Sequence, residues 1–83
     1  MPVKIETKAR FRKDYLALDQ KDQESITEAI NRWQAGERVN LLRINKKIWR
    51  LKVGDWRIFL TFSKELVELL SIERRTTTTY RKR

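Results

Sequence analysis

Trp49-Arg50-Leu51-Lys52-Val53-Gly54-Asp55-Trp56-Arg57-Ile58, continued by Phe59-Leu60-Thr61-Phe62, decides the reading of this 83-residue chain. Gly54-Asp55 between two alternating runs matches a two-residue hairpin turn with glycine first. Such a turn sets Val53 opposite Trp56, Lys52 opposite Arg57, Leu51 opposite Ile58 and Arg50 opposite Phe59. Side chains alternate along a strand, so one face carries Trp49, Leu51, Val53, Trp56, Ile58, Leu60 and Phe62, all apolar. That is the expected core face. The opposite face carries Arg50, Lys52, Arg57, Phe59 and Thr61, with no carboxylate from the same stretch. Like charges directly opposite destabilise a sheet, and an anion with several charges, such as a phosphate chain, relieves them. The bland alternative is a charged sheet face splayed into water. Against it stands Phe59, read as an exposed aromatic among cations, because phosphate pairing plus base stacking suits single-stranded nucleic acid.

Working outward, Pro2 to Thr7 reads as a first strand, with Val3 and Ile5 alternating against Lys4 and Glu6. Lys8 to Leu18 has helical spacing through Phe11, Tyr15 and Leu18. Either Asp19 or Asp22 offers the N-cap of a second helix running to about Gln34, on which Ile26, Ile30 and Trp33 share a face. Gly36 is a natural stop. Leu41, Leu42 and Ile44 fit a short strand or an extended loop equally well. Leu66 to Glu73 makes a third meander strand after Ser63-Lys64-Glu65. Beyond it, the Thr76 to Thr79 run reads as a strand end or a flexible tail. The expected fold class is therefore α+β. A single small domain over residues 1–83 has an N-terminal strand and a two-helix hairpin packed on an antiparallel β-sheet, with a basic C-terminal tail over 74–83.

Composition narrows the chemistry. A 40% hydrophobic content with eight aromatic residues supports one modest core. With no Cys, disulfides, thiolate catalysis and Cys-based metal sites are excluded. With no His, the usual general base and the commonest zinc ligand are missing too. No apolar run approaches the roughly 20 residues of a membrane span, and no signal peptide opens the chain, so the expected compartment is cytoplasmic. The net charge of +9 is one-sided. Residues 1–37 carry seven basic and seven acidic side chains, whereas residues 38–83 carry thirteen basic and four acidic ones. An excess of that kind attracts polyanions. Nucleic acid is the expected ligand, and an acidic protein partner is compatible with it. Lys46 and Lys47 before the hairpin, and Arg75, Arg81, Lys82 and Arg83 at the end, join Phe59 as expected nucleic-acid-binding residues.

With these residues in place, the chain resembles the RelE/ParE toxin superfamily of type II toxin–antitoxin systems, as a RelE-like member. The resemblance spans nearly the whole chain. Its most specific piece is Trp49 to Ile58, an aromatic, basic, apolar, basic, apolar, Gly, variable, aromatic, Arg, aliphatic series. A second piece is Ile72-Glu73-Arg74-Arg75 followed by Tyr80. The resemblance implies a metal-independent, ribosome-dependent mRNA endonuclease that inhibits translation. In it the RNA's own 2′-hydroxyl attacks the adjacent phosphate and leaves a 2′,3′-cyclic phosphate. It implies catalytic roles for Arg50, Lys52, Arg57, Arg74 and Tyr80. The cations would stabilise the phosphorane, with Lys52 or Tyr80 handling protons.

Motif spacing favours Arg74 at the site, while strand parity, with Leu70 and Ile72 facing the core, puts Ser71, Glu73 and Arg75 on the open face and sends Arg74 inward; a bulge near Glu73 would reconcile them. Glu73 is also placed to pair with one of the cations. The implied partners are a cognate antitoxin, the ribosome and mRNA, with no membrane and no metal or organic cofactor. Two other readings share the fold: a ParE-like inhibitor of DNA gyrase, and a non-toxic relative that binds RNA or an antitoxin.

Overall fold

The computed structural model describes residues 4–74. In chain order its elements are β1 (Lys4–Thr7), α1 (Ala9–Leu16), α2 (Gln20–Gln34), β2 (Leu41–Arg43), β3 (Ile48–Val53), β4 (Trp56–Ser63) and β5 (Leu66–Arg74). The strands form one sheet in the order β1-β5-β4-β3-β2. β2 to β5 make an antiparallel meander, and β1 adds parallel to β5. The architecture is α+β, as expected, with a mostly antiparallel sheet. The undecided segment at Leu41 is a strand, held to β3 by three residue pairs. Among the described residues, no helix is long and apolar enough to cross a membrane.

Local chemistry explains the breaks. Gly54 has φ +58° and Asp55 does not share the positive φ, the pattern of a hairpin turn with glycine first. The β3–β4 register is the one the turn requires, from Val53↔Trp56 through Arg50↔Phe59. Asp19, not Asp22, caps α2: its carboxylate accepts from the Asp22 backbone N–H at 2.9 Å. At the other end Gly36, with φ +86°, and Glu37 donate to the carbonyls of Trp33 and Arg32 at 3.0 and 2.9 Å. Those two bonds define a Schellman stop. Tyr15 ties the helices together, its hydroxyl 2.9 Å from Thr27 Oγ1 and its carbonyl accepting from Gln23 Nε2 at 2.8 Å.

The helices cover one face of the sheet. Phe11 and Ile26 meet Leu51, Ile58, Leu60, Val67, Leu69 and Ile72 in a single buried cluster. Each fully buried aliphatic side chain contributes about 1.5–3 kcal/mol. Trp49, Val53 and Trp56 pack at its margin. Phe62, expected in the core, is 41% exposed. It lies near the end of β4 and meets Trp33 edge-on, with ring centroids 5.7 Å apart.

A second departure sits in β5. Ile58 pairs with Ile72 and Phe59 with Ser71, but Leu60 pairs with Leu69, leaving Leu70 unpaired in the ladder. The bulge is thus at Leu70, not near Glu73. It lets Leu69 and Ile72 both face the core, whereas strict alternation would allow only one of them. Past Leu69, where β1 ends, α1 takes over the β5 edge: Asp14 Oδ2 accepts from the Ile72 backbone N–H at 3.0 Å. Of the expected basic tail only Arg74 falls within the described residues, and the Thr76 to Thr79 run lies outside them.

Candidate nucleic-acid interface

On the face away from the helices, strand pairing arranges side chains in rows across β3, β4 and β5. One row is Lys52–Arg57–Glu73, the next Arg50–Phe59–Ser71, and the third Ile48–Thr61 with Glu68. Leu42 of β2 extends the middle row beside Arg50. Neighbours within a row are about 4.8 Å apart, and successive rows are about 7 Å apart along the strands. Arg50, Lys52 and Arg57 therefore form a triangle of cations near the Gly54-Asp55 turn. All three are half-buried.

Their hydrogen bonding is incomplete. The Nε atoms of Arg50 and Arg57 are buried and have no acceptor among the described residues. An unsatisfied buried donor costs about 1–3 kcal/mol, and more when charged. A phosphate offers oxygens to a guanidinium fork and so removes that cost. The nearby carboxylates do not. Glu68 is held at the far end of the face, 3.3 Å from Lys8 Nζ and 3.3 Å from Thr61 Oγ1. Glu73 lies opposite Arg57 in register and is exposed, yet among the described residues it forms no ion pair within 4.0 Å. No group of three His, Cys, Asp or Glu among the described residues is placed to hold a metal ion.

Other expected site residues are dispersed. Phe59 is half-buried, not exposed, because β4 is the central strand and flanks it with Arg50 and Ser71. Lys46 and Lys47 are exposed in the turn before β3, which Asn45 Oδ1 holds by accepting from the Lys47 and Ile48 amides at 2.9 Å. That places Lys47 about 17 Å along the strand from Lys52. Arg74 pairs with Trp56, and its guanidinium stacks 5.6 Å from that ring. By strand parity this is the helix side, so Arg74 is not brought to the triangle. Arg75, Tyr80, Arg81, Lys82 and Arg83 lie outside the described residues. Ser71 and Glu73 lie on the cationic face, where strand parity places them; what the two adjacent leucines hide in the sequence is that Leu69, not Leu70, turns to the core.

A separate groove of 410 Å³ runs between the helices on the other side, walled by Phe11, Tyr15, Leu16 and Ile30. Its one charged side chain, Arg12, is bound to the Thr7 carbonyl at 2.6 Å and to Thr7 Oγ1 at 3.0 Å.

No protein-family model matches the chain, and no curated protein matches it in sequence. Solved structures do. A chain of the RelB–RelE antitoxin–toxin complex from Methanococcus jannaschii superposes with a TM-score of 0.71 over 83% of this chain and 88% of its own, at 15% identity. A chain of the RelBE2 toxin–antitoxin complex from Mycobacterium tuberculosis gives 0.72 over 90% of this chain and 100% of its own, also at 15% identity. The archaeal RelE–RelB complex from Pyrococcus horikoshii OT3 gives 0.70 over 93% and 99%, at 16% identity. These likenesses establish the fold: the chain has the RelE-like architecture.

Proposed function

We propose that this chain is the toxin of a type II toxin–antitoxin pair and acts as a ribosome-dependent mRNA endonuclease. The observation that carries the reading is the pair of buried guanidinium Nε atoms, Arg50 and Arg57, left without acceptors among the described residues, beside Lys52 on the sheet. A site that satisfies its donors only when an anion arrives is suited to phosphate. The RelE-like fold supports the same assignment. Its neighbours were solved as antitoxin–toxin complexes, and the basic second half of the chain suits an acidic antitoxin segment.

In this reading Arg57, on the central strand, holds the scissile phosphate, and Arg50 binds the chain one row away. Phe59 offers a half-buried edge to a base. The RNA's 2′-oxygen forms a bond to phosphorus as the bond to the 5′-oxygen breaks. The products are a 2′,3′-cyclic phosphate and a 5′-hydroxyl. Extra negative charge develops on the phosphoryl oxygens at the halfway point, where fixed guanidinium donors stabilise it more than they stabilise the ground state. Lys52 supplies the proton to the leaving 5′-oxygen, and Tyr80 is the second proton-handling group that the family resemblance offers. Ribosome and mRNA are then the targets, reached in the cytoplasm.

Primer extension on a defined mRNA in a cell-free translation reaction tests this. New cuts should appear only on translated message and vanish with Arg57→Ala. Intact mRNA together with blocked supercoiling by DNA gyrase would replace the reading with a ParE-like one.

A further inference from the structure

We propose that Glu73 is the general base of this site, removing the proton from the attacking 2′-hydroxyl while Lys52 protonates the leaving oxygen from the other side of Arg57. The inference rests on the ribonuclease reading and gives the base half of its proton transfer to Glu73 in place of Tyr80. Its basis is the row Lys52–Arg57–Glu73. Antiparallel partners lie on the same face with Cβ atoms about 4.5–5.5 Å apart. Both Lys52 and Glu73 are therefore direct neighbours of Arg57, on opposite flanks.

Phosphoryl transfer places the attacking and leaving oxygens in line, on opposite sides of phosphorus. With phosphate on the Arg57 guanidinium, one oxygen points toward β3 and the other toward β5. A base and an acid belong in those two directions. The row supplies one of each, about 10 Å apart between backbones, so that two long side chains can converge on a phosphate between them.

An alternative role for Glu73 is a cross-strand ion pair that steadies the sheet. The geometry does not favour it: despite the register, no Arg57–Glu73 or Lys52–Glu73 contact within 4.0 Å forms, although four other ion pairs form among the described residues. Glu73 is exposed, and among the described residues no cation holds its carboxylate. The chain has no His to take the role. The Leu70 bulge completes the case, because strict alternation from Leu69 would turn Glu73 to the helix side.

The step balances. The Glu73 carboxylate takes the 2′-hydroxyl proton as the 2′-oxygen bonds to phosphorus. The phosphorus–5′-oxygen bond breaks, and the Lys52 ammonium delivers a proton to the departing oxygen. Water then returns a proton from Glu73 to Lys52.

The test uses ribosomes programmed with an mRNA cut at one mapped position, alongside the same message with sulfur replacing the 5′-oxygen there. A thiolate leaves without prior protonation, its conjugate acid being far stronger than an alcohol. Glu73→Gln should cleave the oxygen substrate about 10²–10⁴-fold more slowly than wild type, with an unchanged thermal midpoint. It should stay as far behind wild type on the sulfur substrate. Lys52→Ala should be slow on oxygen and restored on sulfur. Glu73→Gln within threefold of wild type, or restored by sulfur, overturns the proposal, as does the base pattern appearing in Tyr80→Phe instead. Should wild type itself leave the message intact, the ribonuclease reading fails and this inference with it. Cleavage by wild type and Glu73→Gln alike removes only the inference.

Discussion

The two faces of the sheet carry arginines in opposite states. On the helix side and along the helices they are engaged. Arg74 stacks on Trp56 and Arg43 on Trp49, at 5.6 and 5.7 Å. Arg12 binds Thr7, and Arg10 and Arg32 pair with Asp14 and Glu28. On the open face Arg50 and Arg57 leave buried Nε donors unmet among the described residues. A net charge of +9 therefore says that anions are welcome somewhere, whereas unsatisfied donors say where. Stability should depend on the first face and activity on the second.

Leu60→Ala bears on the helix side most heavily. Leu60 is fully buried, and its truncation should cost about 2–5 kcal/mol in a denaturant melt. A loss below ~1 kcal/mol would mean that the core lies elsewhere. Arg57→Ala should do the reverse, lowering cleavage about 10²–10³-fold while the melt stays level or improves slightly, since Lys52 loses a like-charged neighbour. A melt that collapses would make Arg57 a structural residue. Asp14→Ala should cost about 1–3 kcal/mol by orphaning the Ile72 amide, read as faster hydrogen exchange at Ile72. Protection unchanged there would mean that α1 does not guard the β5 edge. The smallest change is expected for Arg74→Ala: about 0.5–1 kcal/mol for the lost stack on Trp56, with cleavage within about threefold. A hundredfold loss of cleavage would bring Arg74 to the reaction and erase the division between faces.

Much of this division is legible in the sequence because a two-residue Gly-Asp turn leaves no freedom in the pairing of β3 with β4. The cationic triangle follows from that register alone. Less legible is the path of β5. In Leu66-Val67-Glu68-Leu69-Leu70-Ser71-Ile72, Leu69 and Leu70 are both apolar, so alternation fits two registers and only packing against β4 selects one. Long-range contacts are invisible for another reason. Asp14 reads as one more polar position on α1, and its bond to Ile72 spans 58 residues. Phe62 misleads because alternation assigns a face but does not say how far the helices extend over it. The capping choice between Asp19 and Asp22 depends on one hydrogen bond, which composition cannot distinguish.

In the proposed function, a cationic sheet face in a chain without His or Cys cuts RNA by using the RNA's own hydroxyl. The chemistry of the cut ends tests it most directly. Message cleaved during translation should carry a 2′,3′-cyclic phosphate on the upstream fragment and a 5′-hydroxyl on the downstream one, and neither should form with Arg57→Ala. An upstream 3′-hydroxyl paired with a downstream 5′-phosphate would show that water, not the 2′-oxygen, is the nucleophile, and would contradict the account.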